Sequence, residues 1–349
     1  LFSQISAIRR LSNYLSLVLL LAAFTLISES MALSEFRGEL AALSAALLWA
    51  ISSFIYARLG KRLPLLWLNL VKSSIAIGFI LITLRWQYHM QPTIWPPLNL
   101  AGLGLLSLSG AIGIGFGDSV FFRSLVDLGV RRGLLLEAIS PPLTAFLATL
   151  FLNERLQVFD WLGIGLTVSG VAWVIVERTP DQAVTHLKRG ILFGVLAALA
   201  QASGAILSRA GLAGTEISPL WSSLVRLTAG VLVLLVWLLI RRLTNRISKL
   251  VNPSQKPALD SSLQHALQPL TSGKFLLVLT AASFCGTYLG IWLQQTALKY
   301  TPTGIAQALI ATSPLFIIPI AVISGERISF RAVLGALVAL IGIWLLLIK

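Results

Sequence analysis

Long apolar stretches separated by short polar connectors dominate the chain after Met31. A bilayer-spanning helix needs about 20 mostly apolar residues. Ten stretches of that kind centre on 39–58, 64–84, 99–121, 133–152, 158–176, 190–209, 218–240, 275–297, 304–324 and 330–348. Most connectors are short, which makes consecutive helices antiparallel neighbours. One connector differs. Between Leu243 and Gly273 the chain carries Pro253, Pro257, Pro269 and many Ser, Gln and Asn, and reads as a solvated linker between the seventh and eighth helices. The pattern predicts an all-α membrane protein of ten transmembrane helices.

The apolar pattern repeats. Ser140-Pro141-Pro142-Leu143 running to Asn153-Glu154-Arg155-Leu156 returns as Ser313-Pro314-Leu315 running to Gly325-Glu326-Arg327-Ile328. Arg37-Gly38 returns as Arg189-Gly190, and Leu66-Trp67 as Leu220-Trp221. Leu70-Val71-Lys72 returns as Leu224-Val225-Arg226, and Gly163 and Gly170 return as Gly335 and Gly342. Each half then holds five helices, residues 31–180 forming the first and 181–349 the second, with the polar linker 243–273 inside the latter. Five is odd, so the second half enters the membrane with opposite orientation, the inverted repeat of many secondary transporters. The first 30 residues stand apart: Arg9-Arg10 precede an uncharged stretch from Leu11 to Ser28. An extra N-terminal helix, a cleaved signal and sequence upstream of a start at Met31 are all open readings.

Composition changes the picture in one respect. The chain is 56% apolar and 11% charged, with a net charge of +14 and a mean hydropathy of +0.87. In a soluble protein that charge suggests nucleic acid; here the basic residues lie between apolar stretches, where they set orientation and meet anionic lipid. Connectors 1–2, 3–4, 5–6, 7–8 and 9–10 hold most of them. The rule that basic loops stay cytoplasmic places Arg58, Lys61 and Arg62 inside and the start of the first helix outside. No phosphate loop, nucleophile elbow or metal-ligand spacing occurs, so neither a cofactor nor enzyme chemistry is expected. Cys285 stands alone, which leaves no internal disulfide. The glycines scattered through the apolar stretches read as helix-packing positions.

The candidate functional residues are the polar ones inside spans. Pro141, Pro142 and Pro314 each remove a backbone donor, which either exposes carbonyls beside a cavity or leaves a static kink; Pro319 reads as a kink. Lys72 and Arg226 lie at matched depth in helices two and seven. A cation that deep costs roughly 2.5–3.5 kcal/mol on insertion scales, so it faces a partner or a cavity unless its stem snorkels to the interface. A cation on the cavity favours an anionic or zwitterionic substrate. Asp118 near the end of helix three and Glu137 in the first turns of helix four are the candidate proton-coupling acids, with pairing to Arg123, Arg131 or Arg132 as the rival role. The second half offers no acid at the matching positions, taken as Ile291 and Leu309 or Ile310. Trp49, Gln201, Tyr288, Gln294, Gln295 and Gln307 suit either a substrate-binding pocket or hydrogen bonds between helices. Glu154 and Glu326 oppose the dipoles of the helices they close, so each needs a partner and reads as a clamp on a neighbouring loop.

The paired Glu-Arg steps after helices four and nine, the prolines within those helices and the basic residue in helices two and seven occur twice in one order. In this the chain resembles the drug/metabolite transporter (DMT) superfamily, specifically its EamA-type ten-helix transporters, over about residues 35–349. The resemblance implies transport of a small molecule, often metabolite export, along a pathway between the halves. The chain departs from the family pattern in having Asn153-Glu154 where Gly-Glu is usual, in its longer linker, and in the outside placement of its first helix, since family members commonly keep both termini cytoplasmic. The resulting expectation is a multi-pass protein of the cell (inner or plasma) membrane. Its partners are a small-molecule substrate, the lipid bilayer and, for coupling, protons, with no nucleic acid. A non-transporting sensor or accessory subunit and an intramembrane enzyme are the alternatives.

For topology, a cysteine placed at Ser261 should react with a membrane-impermeant maleimide in inside-out vesicles and stay unlabelled in intact cells; the reverse pattern overturns the cytoplasmic linker.

Overall fold

A computed structural model describes residues 36–59, 62–90, 100–178, 184, 186–251, 268–316, 318 and 329–348. The described residues are helical with short connectors and no strand. In chain order they form α1 (Arg37–Leu59), α2 (Leu65–Met90), α3 (Leu100–Leu128) and α4 (Val130–Glu137 followed by Ser140–Phe151). There follow α5 (Val158–Arg178), α6 (Leu187–Leu212), α7 (Pro219–Val251), α8 (Gly273–Tyr300), α9 (Thr303–Phe316) and α10 (Phe330–Leu347). By length and apolar composition α2 to α8 and α10 can cross a membrane, and α9 is a shorter apolar helix.

Three boundaries move. α3 runs on to Leu128, well beyond the expected end at 121, and stops at Gly129, whose φ of 82° suits glycine. α4 begins at Val130, and Glu137 closes its first half instead of lying in its first turns. The presumed linker from Leu243 opens as helix, because α7 continues to Val251 and no proline interrupts it before Pro253. Residues 268–271 form a short 3-10 turn. The stretch 1–30, Pro319 and the Glu326-Arg327 step lie outside the described residues.

The pairing of helices is two-fold. α1 packs on α8 as α6 packs on α3; α4 meets α6 as α9 meets α1; α2 meets α7, α4 meets α9 and α5 meets α10. Each contact recurs with the halves exchanged, as an inverted five-helix repeat requires. The repeat extends to a local irregularity that the apolar pattern does not reveal. α3 and α8 each widen into a seven-residue π-helical segment, Ala111–Gly117 and Ser283–Leu289, at equivalent positions. That register sets Gly290, not Ile291, opposite Asp118.

Burial follows the logic of a bilayer. Leu337, Leu340, Ile341 and Trp344 of α10 are exposed, as are Leu232, Val236 and Leu239 of α7. The interior is rich in small residues, with Ala197, Ala200, Ala202, Gly204 and Ala205 buried along α6. Without a hydrophobic drive between helices in lipid, close backbone approach at such residues supplies the association energy. Three intramembrane hydroxyls are satisfied on their own helices: Ser52 donates to Leu48 O, Thr144 to Ser140 O and Thr296 to Trp292 O.

The α5–α10 contact shows how close the approach is. A Cβ on Gly170 would meet the backbone of Gly335 and Ala339, and one on Gly342 the backbone of Thr167. Gly165, one turn from that seam, faces open space. Gly170→Ala should therefore lower the melting temperature of the detergent-solubilised protein, with overpacking costing about 1–3 kcal/mol. Gly165→Ala should leave it unchanged; equal effects would contradict the seam.

Candidate substrate site

Glycines of α3 bring three backbones together at mid-membrane. A Cβ on Gly110 would strike the backbone of Arg226 on α7, and the Cβ position of Gly113 lies 3.9 Å from Gly204 Cα on α6. This packing turns the Arg226 side chain inward, where it is 3% exposed. Its Nη1 donates to Gln294 Oε1 of α8 at 3.4 Å, and its Nε has no partner. Nη2 and Gln201 Oε1 border the space above Gly113, at 3.6 and 4.0 Å from the Cβ position there. Arg226, Gln201 and Gln294, picked out separately in the sequence, thus converge on one π segment.

Lys72, the counterpart of Arg226, is placed differently. Its Nζ lies 3.9 Å from Asp118 Oδ2 and 5.5 Å above the Tyr56 ring. Asn69, one turn before Lys72, lies beside the Asp118 carboxylate, which also feels the charge of Arg226. The asymmetry comes from one position: Asp118 on α3 corresponds to Gly290 on α8. Arg226 has no carboxylate within 4 Å among the described residues. Asp118 pairs with Lys72 across helices, while Arg123 turns to Asp127 at 3.7 Å.

Glu137 ends the first half of α4 directly before its break. Pro141 and Pro142 start the second half, where a missing N–H is tolerated. Neither can donate to the carbonyls of Glu137 and Ala138 that an unbroken helix would bond. Glu137 Oε2 is buried without a partner and Asp118 acts on it electrostatically. α9 breaks correspondingly at Ala311–Thr312, before Pro314.

The remaining candidates hold helices together. Trp49 donates from Nε1 to Gly286 O in the π segment of α8 at 2.7 Å. Tyr288 is buried, its hydroxyl 2.7 Å from Thr83 Oγ1, in a ring cluster with Phe79, Phe284 and Trp292. Gln295 Oε1 accepts from Ser208 and Ser222, joining α6 and α7 to α8. Gln307 is buried in α9.

A cavity of about 830 Å³ lies between α2, α3, α6 and α7. Phe116, Phe122, Phe193, Val233 and Trp237 form its apolar walls, Asn69 its inner polar end, and Arg123 and Arg189 its rim. Neither the two cations nor the six polar residues expected at a substrate pocket line it. The Gly113-Ile-Gly-Phe-Gly117 run was a visible signal of close approach on α3, but the cavity walls are ordinary apolar residues that no motif distinguishes.

The two-fold counterpart of this cavity is filled. Tyr288 stands where Phe116 does, Trp292 for Val120, Phe79 for Val233 and Thr83 for Trp237, and these four pack and hydrogen-bond together. There α7 packs along Gly290–Tyr300, whereas α2 makes no comparable packing with Asp118–Leu128. The cavity stands on one side of the two-fold relation, and these side chains occupy the equivalent space on the other.

At the packed end sits the Glu154 clamp. Its Oε2 accepts from the Thr303 backbone N at 2.7 Å and its Oε1 from Thr303 Oγ1 at 2.8 Å and Arg209 Nε at 3.1 Å. Arg209 also donates to the carbonyls of Leu298 and Lys299 at the end of α8. Glu154 therefore caps α9, where a carboxylate complements the helix dipole, and its partner is Arg209, not the adjacent Arg155.

Comparison with known proteins agrees with this architecture. The model of the EamA-like transporter family matches residues 36–176 and again 188–348, so the chain belongs to that family and is a multi-pass membrane protein. A Saccharomyces cerevisiae protein described as a probable transport protein is 32% identical over 116 residues, 33% of this chain. That match spans 32% of the yeast protein. One crystal structure superposes with a TM-score of 0.66 at 14% identity, over 90% of this chain and 98% of its own. The family points to transport and away from enzyme chemistry.

Removing one partner of a buried charge pair typically costs about 3–5 kcal/mol. Arg209 is 19% exposed and Glu154 11%, so Glu154→Ala should fall toward the lower end of that range in thermal unfolding, and Arg155→Ala should have little effect. Equal losses would remove the clamp.

Proposed function

We propose that this protein is a secondary transporter that moves a small organic metabolite or drug-like solute by alternating access, working as an exporter in the cell membrane. The observation that carries the reading is the pair of symmetry-related spaces, one a cavity and one packed with side chains, on either side of a single polar centre. An inverted repeat can exchange the two arrangements by letting each half adopt the other's conformation. The matched breaks in α4 and α9 supply places for that exchange to bend. The pathway runs from the cavity past Asn69 to Lys72, Arg226, Gln201 and Gln294. Tyr288 and Trp49 belong to the closing surface. Export and the cell membrane follow the family resemblance.

Protons are the proposed coupling ion, with Glu137 as the acid. A buried carboxyl oxygen without a donor is costly to keep there, and changing its protonation changes the charge of the centre it faces. Asp118 is paired with Lys72, which makes it the structural member of the two acids.

Purified protein in proteoliposomes, challenged with a panel of labelled metabolites, tests the transport reading; no flux for any compound counts against it. Glu137→Gln should abolish accumulation driven by a pH gradient while leaving solute exchange across equal pH intact. Unchanged gradient-driven accumulation removes Glu137 from coupling.

A further inference from the structure

We propose that the solute is an amphiphilic organic anion, its anionic group received by Arg226 and its apolar body held in the cavity between α2, α3, α6 and α7. This rests on the transporter reading above and narrows it to a substrate class. Two cations reach the polar centre, and they are not equivalent. Lys72 already faces Asp118 at 3.9 Å. Arg226 is buried, holds one long hydrogen bond to Gln294 and has an Nε with no partner among the described residues. A guanidinium carries five donors in a planar fork matched to carboxylate, sulfonate or phosphate oxygens. Leaving such donors unfilled in a membrane interior is expensive, which is the condition under which an anion binds with large effect.

The surroundings select the rest of the ligand. Gly113 brings no side chain to the space bordered by Arg226 Nη2 and Gln201 Oε1. Gly290, the counterpart of Asp118, leaves the Arg226 side of the centre without a carboxylate. The cavity beyond Asn69 is walled by Phe116, Phe122, Phe193, Val233 and Trp237, which suits an apolar or aromatic body. At its rim Arg123 and Arg189 both pair with Asp127, which leaves an excess of positive charge among these three side chains. A cationic solute meets this charge on entry and again at Arg226, whereas an anionic one is attracted at both, with Asp118 already facing Lys72.

Three probes with one body separate the classes: 3-phenylpropane-1-sulfonate, 3-phenylpropionamide and (3-phenylpropyl)trimethylammonium. Binding to the full chain in nanodiscs, followed by tryptophan fluorescence, should favour the sulfonate over both others by about tenfold, the scale of one hydrogen bond to a charged group. Arg226→Gln should remove that preference, Arg226→Lys should restore part of it, and Lys72→Gln should leave most of it. Gly113→Ala, whose Cβ clashes with nothing but enters the anion's space, should weaken the sulfonate selectively and serves where Arg226→Gln does not fold. Equal or tighter binding of the ammonium, or an unchanged preference in both Arg226→Gln and Gly113→Ala, overturns the proposal. The metabolite panel in proteoliposomes distinguishes the failures: flux of cations or neutral compounds alone overturns the anion class and keeps the transporter, whereas no flux at all overturns both.

Discussion

The approach of α3 to α6 and α7 at Gly110 and Gly113 is the contact on which the rest depends. A side chain at Gly110 would push away the backbone of α7 at Arg226. With the helices this close, the guanidinium turns into the protein and reaches Gln294 on a fourth helix. Held further out, it would have to meet lipid or snorkel, and an arginine at that depth is tolerated only with internal partners. Backbone proximity, a property of the smallest residues, thereby places the largest charge.

The skeleton is symmetric and the chemistry is not. π segments, helix breaks and glycine seams recur in both halves, so the two-fold relation holds down to local irregularities of the main chain. Side chains at equivalent positions then diverge: Asp118 against Gly290, Arg123 against Gln295, Glu137 against Leu309. The unlike side chains decide which charges face the centre and which end is packed. At the packed end the contacts include two serines on Gln295, the Tyr288–Thr83 bond and the Glu154–Arg209 clamp; at the rim of the cavity Arg123 and Arg189 face Asp127.

Much of this was legible in the sequence, and the reason is the solvent. Lipid offers no hydrogen bonds, so each span must be a helix of bilayer length, and apolar stretches disclose where the spans are. The repeated prolines, Glu-Arg steps and matched cations disclosed the duplication, and an odd number of helices per copy fixed its inverted sense. The boundaries that moved did so where polarity and helicity part company: α7 continues beyond its apolar stretch because nothing before Pro253 stops a helix.

The sequence by itself determined the class of protein, the helix count of each repeat, the matched depth of Lys72 and Arg226, and the presence of acids near them. Only the tertiary structure decided that Asp118 belongs to Lys72, that Glu154 holds Arg209 and Thr303, that Trp49 bonds Gly286 and Tyr288 bonds Thr83, and that a cavity lies between α2, α3, α6 and α7. Spans are set by the local preference of each segment for lipid, which is written along the chain. Partnership across helices depends on the rotation and spacing of helices far apart in sequence, set by glycine contacts whose partners no local pattern names.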